Sequence, residues 1–303
     1  MTRDDEAFLA AILAHPDDDL PRLVYADWLD DRGDPRGEFI RLEIELERDL
    51  LRYDAAAKAR LARIHELLES NGDVWFANVA GVASDFSHWR GFVDTITLES
   101  SAFLRHGADI LDRDPIRQVR LSGAWEDAER LAESPLLGRV RELSLRENYL
   151  RNLEATIILE SPHLHDLLWL DLAGNRFDYR AIEIAAGCRH LASLKTLILS
   201  HNNVGSNGTA ALARSEALRR LTSLSLSHAH VGPVGIDALT YQSMLEGLTD
   251  LDLSGNPIGG RGVRALANKP IRGLTKLRLS RVEMSPVWRE RIAAQYPPGV
   301  VEF

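Results

Sequence analysis

The sequence predicts an α/β protein: a solenoid of about eight repeats, with a parallel sheet inside and helices outside, preceded by a small all-α helical domain. Three observations carry this reading. The pattern Leu-x-x-Leu-x-Leu recurs at near-constant spacing through residues 92–303. Between its copies the chain reads as helix. Charge also divides unevenly, because residues 1–91 hold 20 Asp and Glu against 11 Lys and Arg while residues 92–303 hold 25 of each. The whole net charge of −9 therefore lies in the first third, and the composition shift marks a domain boundary. A chain of 303 residues also exceeds the size at which one compact core stops growing.

Taken in order, residues 4–15 place Phe8, Leu9, Ile12 and Leu13 on one helical stripe. After Pro16, the Asp17-Asp18-Asp19 cluster offers an N-cap and favourable charge for a second helix, with Pro21 near its first turn. Gly33-Asp34-Pro35 ends that helix. A third begins near Gly37 and carries Phe39, Ile40, Leu42, Ile44 and Leu46; a fourth covers about 56–69 with Leu61, Ile64, Leu67 and Leu68. Residues 1–80 thus make a compact helical domain. Residues 81–91 are read as a linker and cap. The stretch from Trp75-Phe76 through His88-Trp89-Arg90-Gly91-Phe92 is expected to pack over the first strand and hide its apolar edge, since end repeats need a cover.

The repeat domain spans 92–303. Its last leucines, Leu145, Leu172, Leu199, Leu226, Leu253 and Leu279, step by 27, 27, 27, 27 and 26 residues. Two looser copies, Ile116/Val119/Leu121 and Val93/Ile96/Leu98, precede them at steps of 24 and 23. In x-Leu-x-Leu-x the leucines have period two, so both face one side of a short strand. The predicted strands are 95–99, 118–122, 142–146, 169–173, 196–200, 223–227, 250–254 and 276–280. Asn148, Asn175, Asn202 and Asn256 each follow the last leucine by three residues. An Asn there is expected to take up a tight bend and to satisfy open backbone groups with its amide. Gly208–Arg214, Gly235–Leu239 and Gly262–Ala267 read as the outer helices. The tail Pro297-Pro298-Gly-Val-Val-Glu-Phe303 is expected to add a short capping strand, so that both sheet edges are protected and the protein is a monomer.

These repeats resemble the leucine-rich repeat superfamily, in its long-repeat, ribonuclease-inhibitor-like class. The sequence departs from that pattern at Ala229 and Val282, where the Asn is missing, and in the two shorter first copies. Within residues 5–47, Tyr25-Ala-Asp-Trp-Leu29 and Gly37-Glu-Phe-Ile-Arg-Leu42 resemble the repeat-companion domain found beside repeat arrays in planctomycete-type bacterial proteins. That resemblance implies a bacterial, cytoplasmic repeat protein and no reaction.

Chemistry-bearing motifs are sparse. There is no Gly-rich phosphate loop, nucleophile elbow or His-Glu-x-x-His sequence. The single cysteine, Cys188, excludes an internal disulfide and a thiolate cluster, and it is read as core filler on an outer helix. Asp27, Glu38 and Arg41 invite an acid–base reading, but an Arg-paired carboxylate stays ionised and transfers protons poorly. Asp27 is instead expected to pair with Arg22, Arg36 or Arg41, while Tyr25 and Trp28 fill the core. No basic face suits a nucleic-acid backbone. No run of about 18 apolar residues suits a membrane span, and the start Met1-Thr2-Arg3-Asp4-Asp5-Glu6 is acidic where a secretory leader is basic. No catalytic residue, cofactor or metal is expected, although His201 and His228, at equivalent positions about 5 Å apart, leave a metal pair as an alternative to a solvated edge.

The inner surface follows from the register. Gln118, Glu142, Trp169, Thr196, Ser223, Asp250 and Lys276 precede the first strand leucine, and Arg120, Ser144, Asp171, Ile198, Ser225, Asp252 and Arg278 stand between the leucines. Trp169 and Ile198 break the polar pattern and predict an exposed apolar spot, with Asp171 as acceptor and His201 as pH-sensitive donor beside it. The alternative is a Trp169 folded over its neighbour. The candidate binding set on the concave face is therefore Trp169, Asp171, Ile198, His201, Ser225, His228, Asp250 and Asp252. It implies a non-enzymatic module that binds a protein or peptide; a regulator of a GTPase or other enzyme is the alternative.

Overall fold

The computed structural model describes residues 3–48, 54–241 and 244–303. Met1 and Thr2, the start of the acidic N-terminal string, lie outside the described residues. The chain divides into two compact units, Met1–Val119 and Arg120–Phe303.

The first unit opens with helices α1 (Arg3–Ala14), α2 (Asp19–Asp30), α3 (Arg36–Arg48), α4 (Ala55–Trp75) and the single turn α5 (Ala77–Ala80). The Asp18 carboxylate accepts the Leu20 N–H and caps α2, as the aspartate cluster predicts. Asp54 caps α4 through the Ala57 N–H. Leu9, Ile12, Tyr25, Leu29, Ile40, Ile44 and Phe92 form the core, with Phe8 and Trp28 partly buried against it. Where α2 and α3 meet, a Cβ on Gly37 would stand 2.6 Å from the Ala26 carbonyl oxygen, so only glycine permits the approach. Helix α4 runs past the expected end near 69 because Trp75 stacks on Phe39 at 5.0 Å, a tertiary contact that outweighs Asn71, Gly72 and Asp73.

The capping segment does more than pack over the first strand: it pairs with it. Strand β1 (Asp85–Trp89) runs antiparallel to β2 (Phe92–Glu99), joined by Arg90 and Gly91 at φ 51° and 85°. Two left-handed residues are the geometry of a tight hairpin. Glu43 of α3 holds the turn, accepting the Gly91 N–H at 2.6 Å and contacting His88 Nδ1 at 2.7 Å. With α6 (Ser100–Leu111) following, the hairpin packs among the helices, which places the compact division later than the charge shift at residue 91.

The second unit begins within β3 (Gln118–Ser122) and continues as β4 (Glu142–Ser144), β5 (Trp169–Asp171), β6 (Thr196–Ile198), β7 (Ser223–Ser225), β8 (Asp250–Asp252), β9 (Lys276–Arg278) and β10 (Val301–Glu302). Each strand neighbours the next in sequence order. From β4 to β10 the pairing is parallel and in register, with Leu143, Leu170, Leu197, Leu224, Leu251, Leu277 and Val301 forming one row. The helices between them are α7 (Ala128–Glu133), α8 (Asn152–Leu159), α9 (Tyr179–Gly187), α10 (Gly205–Ala213), α11 (Pro233–Tyr241), α12 (Gly259–Asn268) and α13 (Pro286–Ala293). Each inner leucine is buried, Leu199 completely.

The bend does not fall where the asparagines stand. It falls one residue earlier, at Glu147, Gly174, His201, His228, Gly255 and Arg281, all with φ between 52° and 68°. Asn is free to stay in ordinary backbone because its job is hydrogen bonding. Asn256 is typical: its Nδ2 donates to the Leu226 and Leu253 carbonyls, and its Oδ1 accepts the Ala229 and Val231 N–H groups. The amide thus stitches one repeat to the one before it.

Candidate functional site

The strand face presents two rows fixed by the register. Trp169, Thr196, Ser223, Asp250 and Lys276 form one; Asp171, Ile198, Ser225, Asp252 and Arg278 form the other. Trp169 and Ile198 are diagonal neighbours on β5 and β6, and both are half-buried rather than open. Each leaves part of its apolar surface at the face.

Asp171 differs from its expected role. Its carboxylate is buried, at 6% exposure, and Oδ1 accepts the Ala173 N–H at 2.8 Å. Burial pushes its pKa up, against the pull of that hydrogen bond and of Arg146 and Arg120. Asp171 therefore supports the turn after β5 and offers no open rim acceptor. Asp250 is held by Arg278 through two bonds of 2.8 and 3.2 Å, which neutralises much of the acidity expected there. Asp252 accepts the Ser254 N–H, and the Ser225 hydroxyl meets that of Ser200 at 2.7 Å. Lys276 and Arg278 are further paired with Glu302 of the terminal strand.

His201 and His228 do lie together, at the strand ends rather than on the strand face. Their rings stack with centroids 4.8 Å apart and planes 12° from parallel. A Cβ on Gly255 would stand 2.3 Å from the His228 ring, so the glycine at the next repeat is what lets that ring lie down. Beside them is a groove of about 400 Å³ whose lining includes Arg176 and His230, two residues absent from the candidate set. The signal for them was available: both stand four residues after a last leucine, at the tip of the same turn. Arg176 lies over the exposed Tyr149 ring at 4.5 Å, one repeat earlier at that position.

Elsewhere, Asp27 pairs with Arg41 at 2.7 Å, and Arg41 also holds Asp30. Tyr25 is buried, stacked against Trp28. The Cys188 thiol is half-buried at the end of α9, and burial with nearby Glu160 raises its pKa, the opposite of an activated thiolate. Among the described residues, no group of three or more His, Cys, Asp or Glu side chains is placed to hold a metal ion. No described helix is long and apolar enough to cross a membrane.

The periodic leucines, the in-register parallel strands and the helices between them define one repeating unit. The family model for "Leucine Rich repeat" matches residues 190–213, 218–239 and 248–267. Over those residues the chain is similar to leucine-rich repeats. The same spacing and strand register continue back to β4. No curated protein sequence matches the chain significantly. Among solved structures, the crystal structure of a TLR13–ssRNA13 complex is similar at 19% identity and a TM-score of 0.34, over 57% of this chain and 27% of that one.

Proposed function

We propose that the leucine-rich-repeat unit is a protein-interaction module whose strand face holds a protein or peptide. The observation that carries this is the Trp169–Ile198 pair, an apolar spot between rows that are otherwise polar or charged. Aromatic anchors set among polar groups concentrate binding energy in few residues. Thr196, Ser223, Ser225 and Asp252 supply hydrogen-bonding groups around it, while Asp250 is largely committed to Arg278. The mechanism is complementarity on a rigid surface, with bond making left to no residue. We further infer that the protein acts in the cytoplasm as a single copy.

The test begins with a partner identified from native lysate and titrated against purified protein. Trp169→Ala is expected to weaken binding by about 2 kcal/mol or more, with the melting temperature nearly unchanged. Affinity unaltered by that substitution would move the binding surface away from β5 and β6.

A further inference from the structure

The groove beside the stacked histidines has a composition unlike that of the strand face. Arg176, His201, Asn202, Asn203, His228 and His230 line it, and no Asp or Glu is among its described lining residues. A guanidinium presents five N–H donors, an imidazole one or two, and an amide two more. Among the described residues, the histidines with carboxylate partners are His65, His88 and His165, none of them here. The imidazoles of the groove therefore keep their donors for something else.

Two features show that this edge is built rather than incidental. First, His201, His228 and His230 all hold left-handed backbone, at φ 58°, 52° and 59°. The same left-handed bend recurs at Glu147, Tyr149 and Arg281, so it belongs to the repeat, and what sets this edge apart is that imidazoles occupy three such positions. Second, the acceptor side of the amide ladder is interrupted at this place. Asn148, Asn175 and Asn256 each accept a backbone N–H through Oδ1, whereas the Oδ1 of Asn202, buried at 4% exposure, has no partner. Ala229 replaces the next Asn altogether. Asn202 keeps the donor half of the stitch, its Nδ2 bonding the Leu172 carbonyl at 2.8 Å, so the departure is confined to its Oδ1 and to the missing Asn at 229.

We propose that this groove is an oxyanion site, taking a carboxylate or phosphate group on the imidazole N–H groups of His201, His228 and His230, with Arg176, whose guanidinium lies over the Tyr149 ring, supplying positive charge at its edge. The site is separate from the Trp169–Ile198 spot and does not depend on the strand-face reading.

The experiment follows imidazole resonances of the labelled full chain at mildly acidic pH, titrated with inorganic phosphate in one arm and a hexaglutamate peptide in the other. Chloride at matched ionic strength is the control. Saturable movement of the His201 and His228 signals is expected in at least one arm. A response to phosphate alone assigns a small free anion, and a response to the peptide alone assigns carboxylates of a partner chain. The double variant His201→Asn/His228→Asn keeps residues that tolerate left-handed backbone. It is expected to bind the effective probe at least about tenfold more weakly with an unchanged melt. Arg176→Gln gives a second reading, in the same direction, should the double variant fold poorly. Trp169→Ala leaves this binding as it was. Shifts in both arms that match chloride, or saturable binding that survives both the double variant and Arg176→Gln, would overturn the proposal.

Discussion

Replacing Leu199 with alanine tests the repeat where it is tightest. Leu199 is fully buried, with Leu172 and Leu226 of the flanking repeats at 1% and 0% exposure. The substitution removes three carbons, which at about 0.8 kcal/mol per buried methylene loses roughly 2.4 kcal/mol of transfer energy. The backbone on both sides is pinned by the sheet and by the asparagine amides, so the space left cannot close easily. A cavity term then raises the total toward the upper part of the usual range of about 2–5 kcal/mol. Ser225→Ala is the comparison, since its half-buried hydroxyl has one hydrogen bond, to Ser200, worth about 0.5–1.5 kcal/mol. Urea titrations followed by far-UV circular dichroism give both values, read at the transition of the repeat unit. Equal losses from the two substitutions would mean that the strand faces the other way.

Three further outcomes are expected. Asn256→Ala strips acceptors from the Ala229 and Val231 N–H groups and should cost about 1–3 kcal/mol for each buried group left open, measured by the same titration. Asp171 has a folded pKa raised by burial, so its ionised form is less stable folded than unfolded. That penalty is absent below the unfolded carboxylate value and grows as pH rises through the window up to the folded value. Asp171→Asn should therefore be neutral in acid and more stable than the parent at neutral pH; a loss that deepens as pH rises would contradict the burial argument. Light scattering at micromolar concentration should report a monomer, because β10 is only two residues long and offers a short edge for pairing.

The row of leucines was legible because period two and a constant step leave one arrangement that buries them all. The same arithmetic placed His201 and His228 about one strand spacing apart, and the rings stack at 4.8 Å. What it could not show is how each side chain is used once placed. Asp171 and Asp252 occupy equivalent positions, yet Asp171 is buried and Asp252 is not, and that difference comes from neighbours on adjacent strands rather than from the repeat itself. Asn both tolerates left-handed backbone and bonds with its amide, which makes it the expected bend residue; the structure gives those two tasks to consecutive residues. The β1–β2 hairpin was missed although Arg90-Gly91 between two apolar-containing runs is a turn signal. Its meaning became clear only through Glu43, which lies far away in sequence and holds the turn.

The row of bends at 147, 174, 201, 228, 255 and 281 also bears on how this protein can change. The neighbouring row, from Leu143 to Leu277, is leucine in all six repeats, and there volume decides what is accepted. At the bends the residues are Glu, Gly, His, His, Gly and Arg. Backbone conformation decides there, while the side chain stands at the surface. At Glu147, His201, His228 and Arg281, exchanges among residues that accept this conformation alter the charge of one edge a single repeat at a time, whereas at Gly174 and Gly255 a Cβ would meet the Glu147 and His228 side chains of the preceding repeat. The line of bends is thus the part of the scaffold where new recognition chemistry can be written with the least disturbance to folding.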